Sequence, residues 1–166
     1  VSSLEEFLHI AREDFHEAYR IFTERHFSLI LSDQSEKIRS LYAGMSQQPV
    51  TYQHLEEFLI AAGAKEKVTL SLNREEAGFY DVSESVQESL YIHRSGWGHL
   101  RADIEVNGDF LEAGKHVVTE EDFIGSTCEI NYVIRQEKLG KGNQYGEIIV
   151  KTPYQKLVYH VLASRG

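Results

Sequence analysis

The fold is decided by the stretch from Glu137 to Ala163, EKLGKGNQYGEIIVKTPYQKLVYHVLA. Gly140, Gly142 and Gly146 mark a turn ahead of a strand. Apolar side chains then recur at every second position in two runs, Ile148 and Val150 followed by Leu157, Tyr159 and Val161. This period of two is typical of strands with one buried face. The stretch therefore predicts a turn, a strand, a second turn and a last strand.

The same alternation extends back from this stretch to Val68. It occurs at Val68, Leu70 and Leu72, at Leu90 and Ile92, at Leu100, Ala102, Ile104 and Val106, and at Cys128, Ile130, Tyr132 and Ile134. We count about seven short strands in roughly 100 residues, with turn residues between them, which favours an antiparallel β-sandwich. Asn107-Gly108 predicts a tight hairpin. No strand–helix–strand alternation occurs here, so a parallel α/β sheet is disfavoured.

The first 64 residues have the period of a helix instead. Apolar residues recur at steps of three and four at Leu4, Phe7, Leu8, Ala11, Phe15, Ala18 and Phe22. Ser2 or Ser3 can cap this helix, Asp33 or Ser35 a short helix through Tyr42, and Thr51 a helix closed by Gly63. We predict a helical connector subdomain over residues 1–64 and a sandwich over residues 65–166.

Five phenylalanines of the helical segment need a partner surface, which the sandwich, another part of the parent chain or a second copy could supply. They are Phe7, Phe15, Phe22, Phe27 and Phe58. Burial of each is worth roughly 1.5–3 kcal/mol, so exposure of all five would be unfavourable. The predicted fold class is therefore α+β, with the helical segment packed on an immunoglobulin-like antiparallel β-sandwich.

Composition narrows the classes of function. The 166 residues suffice for one domain, with or without an appendage, and the formal net charge of −9 disfavours nucleic acid as a partner. The single cysteine, Cys128, rules out a disulfide within the chain. No apolar run is long enough for a membrane helix. The chain opens Val-Ser-Ser with no signal-peptide pattern, so we interpret it as a piece of a longer protein and favour a cytoplasmic location.

The candidates for catalysis and metal binding are few. His93 and His99 stand six residues apart, but no His-x-His or His-Glu-x-x-His spacing accompanies them. Adjacent carboxylates occur at Glu56–Glu57 and at Glu120–Asp122, and the second group is better explained as the start of a helical turn after Thr119. Cys128 falls among the apolar positions of a strand, which favours a buried side chain over a nucleophile. We therefore expect no catalytic residues, no metal and no cofactor.

The only tryptophan, Trp97, lies between Gly96 and Gly98. Such a side chain can stack on a sugar or a peptide, so Trp97, Tyr91 and His99 are candidate ligand-binding residues. The alternative is that Trp97 fills one end of the sandwich core or docks the helices. Four tyrosines could add an aromatic surface: Tyr80, Tyr91, Tyr145 and Tyr154.

Five motifs carry a resemblance that spans nearly the whole chain. They are Leu55–Ile60 (LEEFLI), Ile92–Gly98 (IHRSGWG), Asn107–Phe110 (NGDF), Glu121–Gly125 (EDFIG) and the run Leu139–Pro153. On these motifs the chain resembles the amino-terminal region of a family of long bacterial proteins of unknown function. In that family, immunoglobulin-like modules alternate with short helical connectors and precede a long helical region. The resemblance implies a module of a larger protein and brings no catalytic residues with it.

These observations favour a non-enzymatic protein-interaction or spacer module of a larger bacterial protein. Its partners would be other modules of the parent chain or another protein, with no nucleic acid and no membrane insertion. The alternative is a carbohydrate-binding module that uses Trp97 and nearby tyrosines. An enzyme would need the acidic or histidine candidates to converge in a concave pocket.

Overall fold

The computed structural model describes all residues, 1–166. Four α-helices come first: α1 (Leu4–Glu13), α2 (Phe15–Phe22), α3 (Glu36–Met45) and α4 (Tyr52–Ala61). Nine strands follow: β1 (Leu70–Leu72), β2 (Glu76–Val82), β3 (Val86–Arg94), β4 (Arg101–Asn107), β5 (Leu111–Ala113), β6 (Val117–Thr119), β7 (Thr127–Ile134), β8 (Asn143–Lys151) and β9 (Lys156–Arg165). The predicted α+β class, with helices first and a β-sandwich after them, is confirmed. None of the helices has the length and apolar character that a membrane span requires.

The chain divides into two compact units. The helical unit comprises Val1–Val68 and Gly96–His99, and the sandwich unit comprises Thr69–Ser95 and Leu100–Gly166. This division differs from the predicted boundary at residue 64 by giving residues 65–68 and the four-residue segment 96–99 to the helical unit. Trp97 and His99 therefore belong with the helices, although the sequence around them is that of strands.

Side-chain caps begin each of the four α-helices. Ser3 accepts a hydrogen bond from the backbone N–H of Glu6, and Ser35 accepts one from that of Ile38. Asp14 ends α1 and caps α2 through the N–H of Glu17, so the helix predicted across this position is broken in two. The break arises because the Asp14 backbone is extended, with φ −149° and ψ 94°.

Four of the five phenylalanines for which a partner surface was expected pack against one another in the helical unit. The ring centroids of Phe7 and Phe27 are 4.6 Å apart, and that of Phe22 lies 5.2 Å from those of both Phe27 and Phe58. All four are at most 3% exposed. The unit therefore has an aromatic core of its own, and the expected external partner is not required for these side chains.

The sandwich unit contains two sheets. The four-stranded sheet has the order β1-β3-β7-β5, and the five-stranded sheet has the order β2-β9-β8-β4-β6. All pairs are antiparallel, as predicted, except β2 with β9, which run parallel. Strands β2 and β9 are joined through all the intervening strands, so their connection is long enough for a parallel pair.

The core of the sandwich lies between the two sheets. Alternate residues of β7 and β9 are buried, including Cys128, Ile130, Val161 and Ala163. The hydroxyls of Tyr132 on β7 and Tyr159 on β9 are 2.9 Å apart and hydrogen-bonded across the core. Desolvation is the main cause that raises the pKa of Tyr132, so its hydroxyl keeps its proton in this hydrogen bond.

The predicted tight hairpin at Asn107-Gly108 is wrong. Gly108 does adopt a left-handed conformation (φ 115°), but β4 belongs to the five-stranded sheet whereas β5 pairs with β7 in the other sheet. The turn carries the chain from one sheet to the other because Phe110 and Leu111, 2% and 3% exposed, enter the core directly after it. Asn-Gly specified the backbone conformation of the turn but not the pairing of its flanks.

Candidate functional site

The segment Gly96–His99 of the helical unit is held by a buried ion pair. Glu56 on α4 and Lys65 contact each other, and their side chains are 2% and 1% exposed. Lys65 Nζ also donates to the backbone carbonyl of Trp97, and Glu56 Oε2 accepts from the backbone N–H of His99 at 3.1 Å. Both charges are therefore compensated by each other and by the segment that passes over them, as buried charges require.

Trp97 packs on the helical core as a half-buried side chain. The ammonium of Lys65 lies 4.9 Å from its ring centroid and the guanidinium of Arg12 lies 5.7 Å from it, within the range of cation–π contacts. A Cβ added at Gly98 would lie 2.5 Å from Lys65 Nζ. Only glycine therefore allows the backbone at position 98 to lie this close to Lys65. These contacts support the alternative in which Trp97 anchors its segment to the helices.

His99 is part of an aromatic stack within the same unit. Its ring lies 5.6 Å from Tyr52 and 6.3 Å from Phe15, at interplanar angles of 19° and 16°. Tyr52 stacks in turn on Tyr19 at 4.1 Å, and its hydroxyl lies 3.0 Å from Nδ1 of His16. The structure thus brings the predicted residues Trp97 and His99 together, and both make packing contacts there.

The third predicted binding residue, Tyr91, belongs to the sandwich unit. It lies on β3, opposite Glu129 of β7, and is 39% exposed. Its backbone N–H donates to Oδ1 of Asn73. Tyr91 thus belongs to the sandwich unit, whereas Trp97 and His99 belong to the helical unit. Ligand binding by these three residues stays a prediction.

The remaining candidates for chemistry have structural partners. Burial raises the pKa of the Cys128 thiol, which opposes formation of a nucleophilic thiolate. A short 3₁₀ helix, Glu120–Asp122, forms where the sequence predicted a helical turn; Asp122 closes a capping box with Thr119 there and accepts from Lys115 Nζ at 2.6 Å. Glu120 accepts from the backbone N–H of Leu100. No group of three or more His, Cys, Asp or Glu side chains is placed to hold a metal ion.

A groove on the outer face of the five-stranded sheet, which we call the tyrosine groove, is the candidate binding site. Its volume is about 820 Å³, against about 530 and 550 Å³ for two other grooves. Four strands contribute to it, β2, β9, β8 and β4, and all of its lining residues belong to the sandwich unit. A concave site with aromatic walls and a few polar groups is the usual form of a ligand site.

Strand register places a row of polar side chains across this groove. Glu76 pairs with His160, His160 with Glu147, and Glu147 with Asn107, so one residue from each of the four strands joins the row. The amide of Asn107 donates to Glu147 Oε1 at 2.9 Å. The row therefore offers carboxylate, imidazole and amide groups in one line.

The next row along the strands is apolar and carries the aromatic walls. Gly78 pairs with Leu162 and Leu162 with Tyr145, and Tyr80 follows two residues after Gly78 on the same face. Tyr80 and Tyr145 are 63% and 75% exposed. A Cβ at Gly78 would lie 3.0 Å from Cε2 and Oη of Tyr80, so the tip of the tyrosine ring lies against the glycine.

Tyr80 and Tyr145 were predicted as possible members of an aromatic surface, and the structure brings these two into one groove. Arg74, Glu76, Glu147 and His160 also line the groove and were not predicted. Alternation along β8 and β9 could have assigned Glu147 and His160 to the outer face. Their being neighbours depends on the sheet order, for which the sequence carries no comparable signal.

The fold and the groove define an α+β protein whose sandwich carries an aromatic-lined candidate binding face. The chain belongs to the family described as "Family of unknown function (DUF5717) N-terminal", whose model matches residues 1–166. The match confirms the resemblance to the amino-terminal region of a larger protein of unknown function. No curated protein matches the chain.

Two solved structures are similar at low identity. The VesB protease of Vibrio cholerae is 8% identical with a TM-score of 0.37, and the match covers 57% of this chain and 31% of the protease chain. The FixG-related protein of Vibrio parahaemolyticus is 10% identical with a TM-score of 0.41, covering 61% of this chain and 98% of that one. Since the chain spans less than a third of the protease, and both TM-scores are low, neither likeness bears on activity.

Proposed function

We propose that this chain is a non-enzymatic interaction module of a larger protein and that it binds through the tyrosine groove. The exposure of Tyr80 and Tyr145 on the two sides of one groove is the observation that carries the proposal. Exposed single apolar residues are ordinary, whereas two aromatic rings that flank a concave surface with polar groups beside them are typical of a binding face. The partner is another module of the parent chain or another protein.

The structural roles of the enzymatic candidates support a binding role over a catalytic one. Glu56 is paired with Lys65, and the adjacent Glu57 is exposed, so these two carboxylates do not face a common space. Cys128 is buried and Asp122 holds a capping box. These groups are thus occupied by contacts that stabilise the fold.

The alternative, a carbohydrate-binding module, is favoured by a specific observation but at different residues. Trp97 packs on the helical core, and Arg12 and Lys65 make cation–π contacts with its ring. The ring is therefore less suited to stack on a ligand than the sequence suggested. Tyr80 and Tyr145 keep exposed rings beside hydrogen-bonding groups. A carbohydrate site in this chain would therefore be the tyrosine groove.

Calorimetric titration of this chain with the separately produced remainder of the parent protein tests the proposal. We expect measurable binding that the double variant Tyr80→Ala/Tyr145→Ala weakens at least tenfold, as removal of aromatic contacts at a binding face does. Ile124→Ala is the control, because Ile124 is 90% exposed and does not line the groove. Binding that tolerates the double variant, or that Ile124→Ala abolishes instead, would contradict the proposed face.

A further inference from the structure

We infer that the partner protein binds by adding a basic, extended segment as a strand to the free edge of β2. The inference rests on the proposed function, in that the tyrosine groove is taken as the binding face, and it adds how the partner is held and what charge it carries. Strand β2 supplies Glu76, Gly78 and Tyr80 to the lining of the groove. A strand added beside β2 would therefore border the groove.

Strand β2 is the one long edge strand of the sandwich. The two sheets have four edge strands, and β1, β5 and β6 have three residues each whereas β2 has seven. Proteins commonly protect sheet edges by shortening them or by placing lysine or proline in them, and Glu76–Val82 contains neither residue. A register shift and the positive φ of Asp81 (53°) disturb only the carboxyl end, so Glu76–Tyr80 remains a regular, unprotected edge.

The backbone of β2 has hydrogen-bonding groups that point away from its sheet. The C=O of Glu75 accepts from the N–H of His160, so the odd-numbered residues of β2 direct their backbone groups towards β9. In a parallel pair the residues between them direct theirs to the opposite side. The N–H and C=O of Glu76, Gly78 and Tyr80 therefore face the free edge, and all three residues are exposed. Recognition by strand addition uses such groups.

The charges beside this edge favour a basic segment. From Arg74 to Val82 the chain carries three acidic residues against one arginine, and Glu147 adds a further carboxylate to the groove. The formal net charge of −9 also attracts a cationic segment. In an added strand, the side chain opposite Glu76 lies on the same face as Glu76, so a lysine or arginine there makes an opposite-charge pair across the strands.

A second copy of this chain suits the edge less well. An antiparallel pair of β2 strands centred on Gly78 brings Glu75 of each copy next to Asp81 of the other, and a pair centred on Glu76 places the two Glu76 carboxylates opposite each other. Like charges opposite each other destabilise a strand pair. The added strand therefore belongs to another module of the parent chain or to another protein.

Amide hydrogen exchange at single-residue resolution tests the inference on the unaltered chain, with and without the separately produced remainder of the parent protein. The amides of Glu76, Gly78 and Tyr80 should exchange rapidly in the free chain and slow by about tenfold or more in the complex. Those of Ala77 and Phe79 face β9 already, so they should change less. A complex in which the first three amides stay unprotected would overturn strand addition.

Gly78→Pro and Gly78→Ala form a matched pair of variants. Both add a Cβ against the tip of Tyr80, 3.0 Å from Cε2, but only proline removes the N–H that faces the free edge. Proline is tolerated where that N–H faces solvent, so circular dichroism should show the fold of both variants unchanged. Gly78→Pro should bind the remainder of the parent protein about tenfold more weakly than Gly78→Ala, since it cannot donate to the added strand. Equal affinities would contradict strand addition, and the exchange experiment decides the matter if the proline variant fails to fold.

Glu76→Lys tests the charge of the partner. It should weaken binding about fivefold or more, because it places a like charge opposite the basic residue. Glu57→Lys is the matched control, since it makes the same change of charge at an exposed residue of α4 that does not line the groove, and it should alter the affinity by less than about twofold in physiological salt. Equal effects of the two variants, or tighter binding by Glu76→Lys, would refute the basic segment.

The outcomes separate this inference from the proposed function. If Tyr80→Ala/Tyr145→Ala weakens binding but the edge amides and Gly78→Pro show no effect, the groove stands as the face and the added strand is wrong. If the edge responds and the tyrosine variant does not, the edge of β2 is the site and the groove is not. If the chain alone dimerises in sedimentation and Gly78→Pro makes it monomeric, a second copy occupies the edge and the basic partner is refuted.

Discussion

Replacement of Lys65 by methionine should destabilise the helical unit strongly. Methionine keeps much of the apolar stem beside Trp97 but removes the ammonium group. The Glu56 carboxylate, 2% exposed, would then lose its counter-charge, and the Trp97 carbonyl would lose its donor. Breaking a buried ion pair from one side costs about 3–5 kcal/mol because a buried charge is left uncompensated.

The double variant Glu56→Gln/Lys65→Met tests the physical cause. A neutral glutamine can still accept from the backbone N–H of His99, which Glu56 Oε2 does at 3.1 Å. The double variant should therefore be more stable than Lys65→Met alone, with a coupling energy of about 1–3 kcal/mol between the two positions. Additive effects would mean that the two side chains do not compensate each other.

Urea unfolding is the suitable assay, since Trp97 is the only tryptophan and reports on the helical unit by fluorescence. Circular dichroism should be followed in parallel, because the substitutions alter the surroundings of the fluorophore. A loss of less than about 1 kcal/mol for Lys65→Met would refute the reasoning, because that value is typical of a solvent-exposed pair.

Three further predictions concern single positions. Gly98→Ala should cost more unfolding free energy than Gly96→Ala, since both have positive φ (99° and 75°) but only position 98 meets Lys65 and Glu56. Asp122→Asn should lower stability at pH 6, and the difference from wild type should vanish as the pH falls well below 3.8, since Lys115 holds the pKa of Asp122 below that ordinary value. Cys128 should react with a thiol reagent only in urea, because it is 1% exposed and its pKa is raised.

Each of these has a clear contrary result. Equal losses of unfolding free energy for Gly98→Ala and Gly96→Ala would show that the nearby Lys65 and Glu56 side chains add no cost at position 98. A constant difference between wild type and Asp122→Asn down to pH 2 would mean that the carboxylate contributes no charge-dependent stability, because a depressed pKa makes its contribution disappear in acid. Rapid labelling of native Cys128 would show that its strand opens to solvent.

The strands with strict alternation were predictable from the sequence, and so were most helix caps. Strands β8 and β9 lie within the stretch 137–163, as predicted. They were predictable because apolar residues at every second position place one apolar face on each strand. Strand β2 was missed, since Gly78 interrupts its pattern and its outer residues face the groove. The break at Asp14 was missed because the apolar period continues through it.

The candidate site was less predictable than the fold. Trp97 drew attention as the only tryptophan and for its flanking glycines, yet Gly98 serves the close approach of this segment to Lys65 and Glu56. Glu56 was named only as half of the adjacent pair Glu56–Glu57, because nothing local distinguishes a carboxylate that will be buried by a segment some 40 residues away. The tyrosine groove could be anticipated only as scattered tyrosines.

By itself, the sequence determined where helices give way to strands, which residues cap most helices, and which face of each strictly alternating strand is apolar, because these properties depend on neighbours a few residues apart. The tertiary structure alone decided that β4 and β5 lie in different sheets, that Glu56 is paired in the interior, and that Tyr80 and Tyr145 flank one groove. Those outcomes depend on strand order and on contacts between distant residues, which are selected by the packing of the whole unit and leave no periodic trace in the chain.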